Sequence, residues 1–474
     1  MEMDNIPTEV AQPLPEQMRF SQLQERAAPA IIQERAFTPS NGATFSPDNA
    51  REIRIPISVS HGQFVDVRHS FLSVEVEINN AAAVASGKHA MANIDGGVES
   101  IVESFSIIGS DGTILERLTN ANLIAQAMKT AKYTQGYADN TAMLTEGFSG
   151  TQPKDGALYV WPASSAANTK VSQTFTFNLS LSALLNSDRY LPLGFLSGSA
   201  LSLSLTLAPA AVCLAAHTAA TDLIAMGVMS YNVKNVQYVA SVISYDASTT
   251  NLFQSLMSEI GGVQLTSRGV QELGTNSLAA SAASGINVTL SLPCRTRSTI
   301  AMMHLIRATA DSATPENYYI SSRRSRKITQ YQHSIGGLRY PVAPINVSPS
   351  NTAAAMSQIQ KTFYTNHDHS AGGIIKRGAI GVDGKVVGSI EGEAGTYNFY
   401  DFLDAGNSFM LMQGFETAPG SSLESGLDLS SQSSNVDLTM TLDTVSASAT
   451  QINSYVLCDS TFSFLASGIV TVSR

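Results

Sequence analysis

The feature that most constrains this chain is a two-residue alternation of apolar and polar side chains, which recurs in short runs and is laid down twice in the same order. Ile53, Ile55, Ile57 and Val59 alternate with Arg54, Pro56 and Ser58. Leu72, Val74, Val76 and Ile78 alternate with Ser73, Glu75 and Glu77. Phe175, Phe177, Leu179 and Leu181 do so with Thr176, Asn178 and Ser180, and Leu201, Leu203, Leu205 and Leu207 with Ser202, Ser204 and Thr206. Ile286, Val288, Leu290 and Leu292, then Val436, Leu438, Met440 and Leu442, continue the theme. Successive side chains of an extended strand point to opposite faces, so each run is a strand with one face on a core and one polar face. Asp95-Gly96-Gly97, Ser110-Asp111-Gly112, Gly261-Gly262, Gly336-Gly337 and Asp383-Gly384 are the turns between runs.

Two segments carry a helical period instead. Asn120 to Lys132 places Leu123, Ala127 and Ala131 at i, i+4 and i+8, and Thr352 to Tyr364 places Met356, Ile359 and Phe363 at i, i+3 and i+7. Thr119 or Asn120 caps the first, and Asn351 or Thr352 the second. Leu252 to Met257 is a weaker candidate.

The order of elements repeats. The strand at Ile53 has its counterpart at Ile286, an offset of 233; Leu72 matches Ile300 at 228. The helix at Asn120 matches Thr352 at 232, Leu201 matches Val436 at 235, and the terminal strand around Tyr238 matches that around Phe462 at 224. Element type and order agree five times with little residue identity. The pattern implies one all-β unit of about 200 residues written twice, joined near Tyr245 to Glu259. Eight strands and a helical insertion suit a jelly roll, two packed sheets with Greek-key links. The expected division is an N-terminal arm over 1–43, a first jelly roll over 44–245 and a second over 246–474. The arm carries Pro7, Pro13, Pro15, Pro29 and Pro39, and a short helical piece from Met18 to Arg26 with Phe20 and Leu23 on one face. Such a segment cannot bury a core alone.

Composition narrows the function. Charged residues are 14% of the 474 and the net charge is −10, whereas about 25% charged is usual. Neutralising phosphates needs a net basic surface, so sequence-independent nucleic-acid binding is not expected. Ser, Thr, Asn, Ala and Gly fill the polar positions, which suits a surface covered by copies of the same chain. No Asp, Glu, Lys or Arg occurs from Tyr190 to Thr221, yet the Leu–Ser alternation and Pro209 mark a strand rather than a membrane span. The acidic, proline-bearing first 20 residues do not form a signal-peptide core. Cys213, Cys294 and Cys458 lack zinc spacing and read as buried apolar residues.

Candidate chemistry is sparse. His367-Asp368-His369 is the sole His-x-His, but the next Glu is Glu391, and ligation needs at least three convergent donors. Arg323-Arg324-Ser325-Arg326-Lys327 is the dense basic cluster, expected as a solvated loop or an inter-subunit ion-pair patch, with phosphate contact as the rival. Trp161, the single tryptophan, is expected as a loop or interface anchor. Asn178-Leu179-Ser180 and Asn287-Val288-Thr289 match glycosylation sequons within expected strands. No nucleophile elbow, P-loop or dinucleotide fingerprint is present. No catalytic, cofactor-binding or metal residue is therefore assigned. The rival class is a two-domain carbohydrate-binding or carbohydrate-active β-sandwich, which usually stacks sugars on aromatic platforms, whereas this chain has one tryptophan, Trp161.

Local strings carry a resemblance. Thr44-Phe45-Ser46-Pro47 leads into Ile53-Arg54-Ile55-Pro56-Ile57, and Phe64-Val65-Asp66 into Ser70-Phe71-Leu72-Ser73-Val74-Glu75-Val76. Ser100 to Ile107, Gly112 to Glu116, the Asn120-Ala121-Asn122 helix start and Arg189-Tyr190-Leu191-Pro192-Leu193 follow. In the second half come Tyr331 to Gly337, Tyr340-Pro341 and Ser425-Gly426-Leu427-Asp428. In this order they resemble the double jelly-roll major capsid proteins of tailless icosahedral DNA viruses, the adenovirus and tectivirus lineage, with virophage-like and polinton-like members nearest. On that resemblance the 44–57 and 64–76 strings are the opening strand pair of the first roll. It implies a homotrimer whose six rolls form a pseudo-hexagonal capsomer, tiling an icosahedral shell assembled inside the host cell. It also implies contacts to neighbouring capsomers through the arm, penton and minor capsid proteins as partners, and an internal membrane, where the virus has one, beneath the barrel bases. It implies no cofactor and no sequence-specific nucleic-acid binding.

Overall fold

A computed structural model of the chain describes residues 29–148, 158–196, 198, 200–217, 229–279, 285–309, 319–321, 323, 328–347, 353–363, 379–380, 386–387, 409–416, 425–430, 436–442 and 449–474. Sixteen of its strands form two antiparallel sandwiches. In the first, β1 (Ala30–Phe37), β2 (Glu52–Ser58), β3 (Gln63–Asn80), β4 (Val102–Ile108), β5 (Ile114–Leu118), β6 (Thr169–Phe177), β7 (Ala200–Leu207) and β8 (Met229–Tyr245) make the sheets β1-β8-β3-β6 and β2-β7-β4-β5. In the second, β9 (Gly262–Leu278), β10 (Ile286–Leu292), β11 (Thr299–Ala308), β12 (Ile328–Ile335), β13 (Leu338–Asn346), β14 (Leu411–Gly414), β15 (Val436–Leu442) and β16 (Thr450–Leu465) make β9-β16-β11-β14 and β10-β15-β12-β13. Adding eight to each strand of the first sandwich gives the second. That order, the first strand beside the last and the second beside the seventh, is the jelly roll. Each roll carries its helix between its fifth and sixth strands: α1 (Ala121–Lys132) in the first and α3 (Ala353–Phe363) in the second. Between the rolls, α2 (Ala247–Ile260) occupies the stretch read as the joint.

The alternating runs face as expected. Ile53, Ile55 and Ile57 lie opposite Leu205, Leu203 and Leu201, and all six are buried. Leu203 and Leu205 in turn meet Ile107 and Phe105 on the other side. The Gly336-Gly337 turn closes β12 onto β13 with φ of 56° and 87°, a two-residue loop that needs the left-handed region twice and therefore glycine.

Three expectations are corrected. The opening strand of the first roll is β1, inside the segment read as arm; Ala30 to Phe37 pair residue for residue with Tyr245 to Tyr238. Its seven leading residues are exposed, so no burial imposes an alternation that sequence could display. The 44–57 and 64–76 strings are not a strand pair: β2 and β3 lie in different sheets, and the second string runs within the single strand β3. Asn120 is not a side-chain cap: it has φ 49° and turns its amide toward the other roll. The proposed helix Met18–Arg26 lies outside the described residues.

The two rolls have separate apolar clusters that meet on opposite faces of one sheet. The β9-β16-β11-β14 sheet is covered on both faces. Met302, Ile306, Ile452 and Val456 point into the second sandwich. Met303, Leu305, Tyr455 and Leu457 join the apolar cluster of the first roll. Both β11 and most of β16 are consequently buried without alternation, as strands between two layers must be. Helix α1, buried on almost every side, sits in that junction. A three-stranded sheet of Ala90–Ile94, Leu158–Trp161 and Leu214–His217 flanks the first roll.

Candidate assembly surfaces

What the rolls can build depends first on how firmly they are held to each other. Asp95, in the Asp-Gly-Gly turn after the strand Ala90–Ile94, is buried and reaches the second half of the chain. Its carboxylate accepts hydrogen bonds from the backbone N–H of Ile320 (2.7 Å) and Ser321 (3.1 Å) and from Ser321 Oγ (2.5 Å). Burial pushes its pKa up to about 6, against the pull of those donors and of Arg323. Glu272 of β9 accepts from Asn120 Nδ2 at 2.8 Å and from Thr119 Oγ1, at the start of α1. Tyr455 Oη donates to the Asn120 carbonyl at 3.0 Å, and Val270 N–H to the Leu181 carbonyl at 3.1 Å. The C-terminal Arg474 donates to the Leu115 carbonyl at 2.6 Å. At Gly269 the backbones come so close that a Cβ would stand 2.7 Å from that of Ala183. Buried polar groups stay paired because an unpaired one costs about 1–3 kcal/mol. The seam is therefore one fixed geometry rather than a hinge.

Arg323 belongs to this seam. Its expected solvated setting is wrong: it is 1% exposed and its Nη1 donates to Gln126 Oε1 of α1. Burial lowers its pKa to about 9, with Asp95 opposing. The partner acid is 228 positions away in sequence, which is why the basic run looked like surface. Arg324, Ser325, Arg326 and Lys327 lie outside the described residues, as does His367-Asp368-His369. Trp161 is not an interface anchor; it is fully buried and its Nε1 donates to the Thr169 carbonyl at 2.8 Å. The three cysteines are free and buried, as expected. Asn287 lies in β10, while Asn178 is one residue past β6. Among the described residues, no group of three His, Cys, Asp or Glu is placed to hold a metal, and no helix is long and apolar enough to cross a membrane.

Two edge strands carry exposed aliphatic side chains. β1 is an edge strand and presents Ile31 and Ile32, about two-thirds exposed. β13, the edge of the opposite sheet in the other roll, presents Leu338 and Val342, the latter 87% exposed. Exposed apolar edge strands invite pairing and are normally blunted or covered. Sequence alternation gave no hint of these positions, because they face outward.

No protein-family model and no curated protein sequence matches the chain. Solved structures do. The Sputnik virophage structure aligns at a TM-score of 0.57 with 9% identity, over 99% of this chain and 93% of that one. The capsid of the virus PBCV-1 aligns at 0.55 with 12% identity, over 96% and 99%. The mavirus major capsid protein aligns at 0.52 with 9% identity, over 100% and 96%. The chain is a double jelly roll. It shares the fold of these viral capsid proteins along essentially its whole length.

Proposed function

We propose that the protein is a viral major capsid protein, a virion component that works by self-assembly. Three copies would form a trimer, its six rolls making a pseudo-hexagonal capsomer, and capsomers would tile an icosahedral shell. The observation that carries this reading is the repeated strand order in two rolls fixed side by side. One chain supplies two equivalent walls, so threefold symmetry yields six. A closed symmetric assembly covers the same patch on each copy, which accounts for exposed Ile31, Ile32, Leu338 and Val342 and for the low charge.

The division that goes with this role is a first roll from β1 through β8, a second from β9 onward, α2 as their connection, and an arm preceding Pro29. The arm would contact neighbouring capsomers, and penton and minor capsid proteins would complete the shell. The role is structural and assigns no catalysis to any residue. Trp161, the one tryptophan that the carbohydrate-binding rival could use as a platform, is inside the protein.

Size-exclusion chromatography with light scattering tests the reading. A trimer of 50.2 kDa chains at micromolar concentration is expected; a stable monomer would contradict it.

A further inference from the structure

Helix α2 presents two unlike apolar faces. One is packed: Met257 is buried, and Phe253 meets Phe64 and Phe195 with ring centroids 5.0 and 4.9 Å apart. The other is bare. Leu252, Leu256 and Ile260 stand at i, i+4 and i+8, exposed by 72%, 43% and 66%. At 1.5 Å per residue this stripe is about 12 Å long. Beside it run Asn251, Gln254, Ser255, Ser258 and Glu259, lining a shallow polar hollow. A soluble helix does not leave three aliphatic residues in line without something to cover them.

The chain's own path supplies the cover. Ala30 pairs with Tyr245, and the Asp246 N–H donates to the Pro29 carbonyl at 3.3 Å. The described chain thus begins at the N-cap of α2, and the 28 residues before it start beside this helix. Three links from Pro29 back to Arg26 reach about 10 Å. In the sequence, Met18 to Arg26 is the stretch of that segment with helical spacing, Phe20 and Leu23 standing three apart. As a helix it is about 12 Å long, the length of the stripe.

We propose that residues 18–26 dock in cis on α2 of the same chain, antiparallel to it, with Phe20 and Leu23 against Leu252, Leu256 and Ile260. That alignment sets Arg19 level with Glu259, a pair of opposite charge. Residues 1–17 remain beyond the anchor with a reach of about 55 Å when extended. The docking is a property of the single chain and stands whether or not shells form.

Two measurements on the full-length protein test it. Arg19 and Arg26 are trypsin sites. Cleavage at them, read by mass spectrometry, is expected to be about tenfold faster in L252E/L256E than in the wild type, since cleavage follows the open population. Equal rates would overturn the proposal. Separately, Gln24→Cys paired with Ser255→Cys retains every apolar contact. A short bismaleimide should give an intrachain product on a denaturing gel, and Gln24→Cys paired with Lys88→Cys should give none. A two-chain product would place another copy's segment on the stripe, and no product above the control would leave the stripe empty; either result overturns docking in cis.

Discussion

His304 and His333 face each other across the interior of the second roll, Nε2 to Nε2 at 2.9 Å, one from each sheet. His304 Nδ1 is 2.9 Å from Ser454 Oγ, both rings are fully buried, and His333 meets Tyr331 and Phe415 edge-on. Burial pushes His333 down to about 3 and His304 well below its usual value, so both are neutral in the fold.

A histidine whose folded pKa is depressed gives stability that is full above the unfolded value and is lost as pH falls. The window here runs from about 6.5 down to about 3. Asp95 acts oppositely, because its raised pKa weakens the fold as pH climbs toward about 6. The pair is isolated by comparison: thermal melting of the wild type should fall more steeply between pH 6.5 and 4.5 than that of His333→Gln. Parallel curves would show that the pair does not titrate on unfolding.

Lys129 of α1 lies between two buried carboxylates, Glu99 at 2.8 Å and Glu146 at 2.7 Å. Removing the cation leaves both acids buried and uncompensated. Lys129→Met should cost about 3–5 kcal/mol in a denaturant titration. The triple change K129M/E99Q/E146Q should recover part of the loss. A loss below about 1 kcal/mol would mean that the acids reach water.

The seam makes its own prediction. Gly269→Val drives a side chain into Ala183, so it should separate the rolls rather than loosen either one. Calorimetry should resolve two transitions where the wild type shows one cooperative unit. Glu272→Ala should act the same way more weakly, about 1–3 kcal/mol, by stranding Asn120 and Thr119. A single unshifted transition in both variants would contradict a fixed seam.

Much of this architecture is legible in the residues. Ile53, Leu72, Leu201, Ile286 and Val436 open alternating runs because each strand has one wet face, and all five belong to strands of the rolls. The exceptions are strands without that asymmetry. β1 is exposed on both faces, so Ile31 and Ile32 stand in succession and nothing marks a strand between Pro29 and Pro39. β11 is buried on both faces, so it reads as an undifferentiated apolar run. The seam was illegible for another reason: Asp95, Glu272 and Arg323 acquire partners only when chain segments more than 150 residues apart meet.

The arm calls for a shorter truncation than its sequence suggests. Removing residues 1–28 should leave trimers intact and impair shells, whereas removal through Phe37 also deletes β1 and exposes the edge of β8. Loss of trimers in the shorter truncation, scored by light scattering, would move the arm's role into the capsomer.

Single-particle imaging of the purified full-length protein bears most directly on the proposal that one duplicated sandwich builds a six-walled unit. Particles of three chains are expected, with six barrels around one axis in a pseudo-hexagonal outline. Particles holding a single chain, or a ring whose barrels are not six, would contradict it.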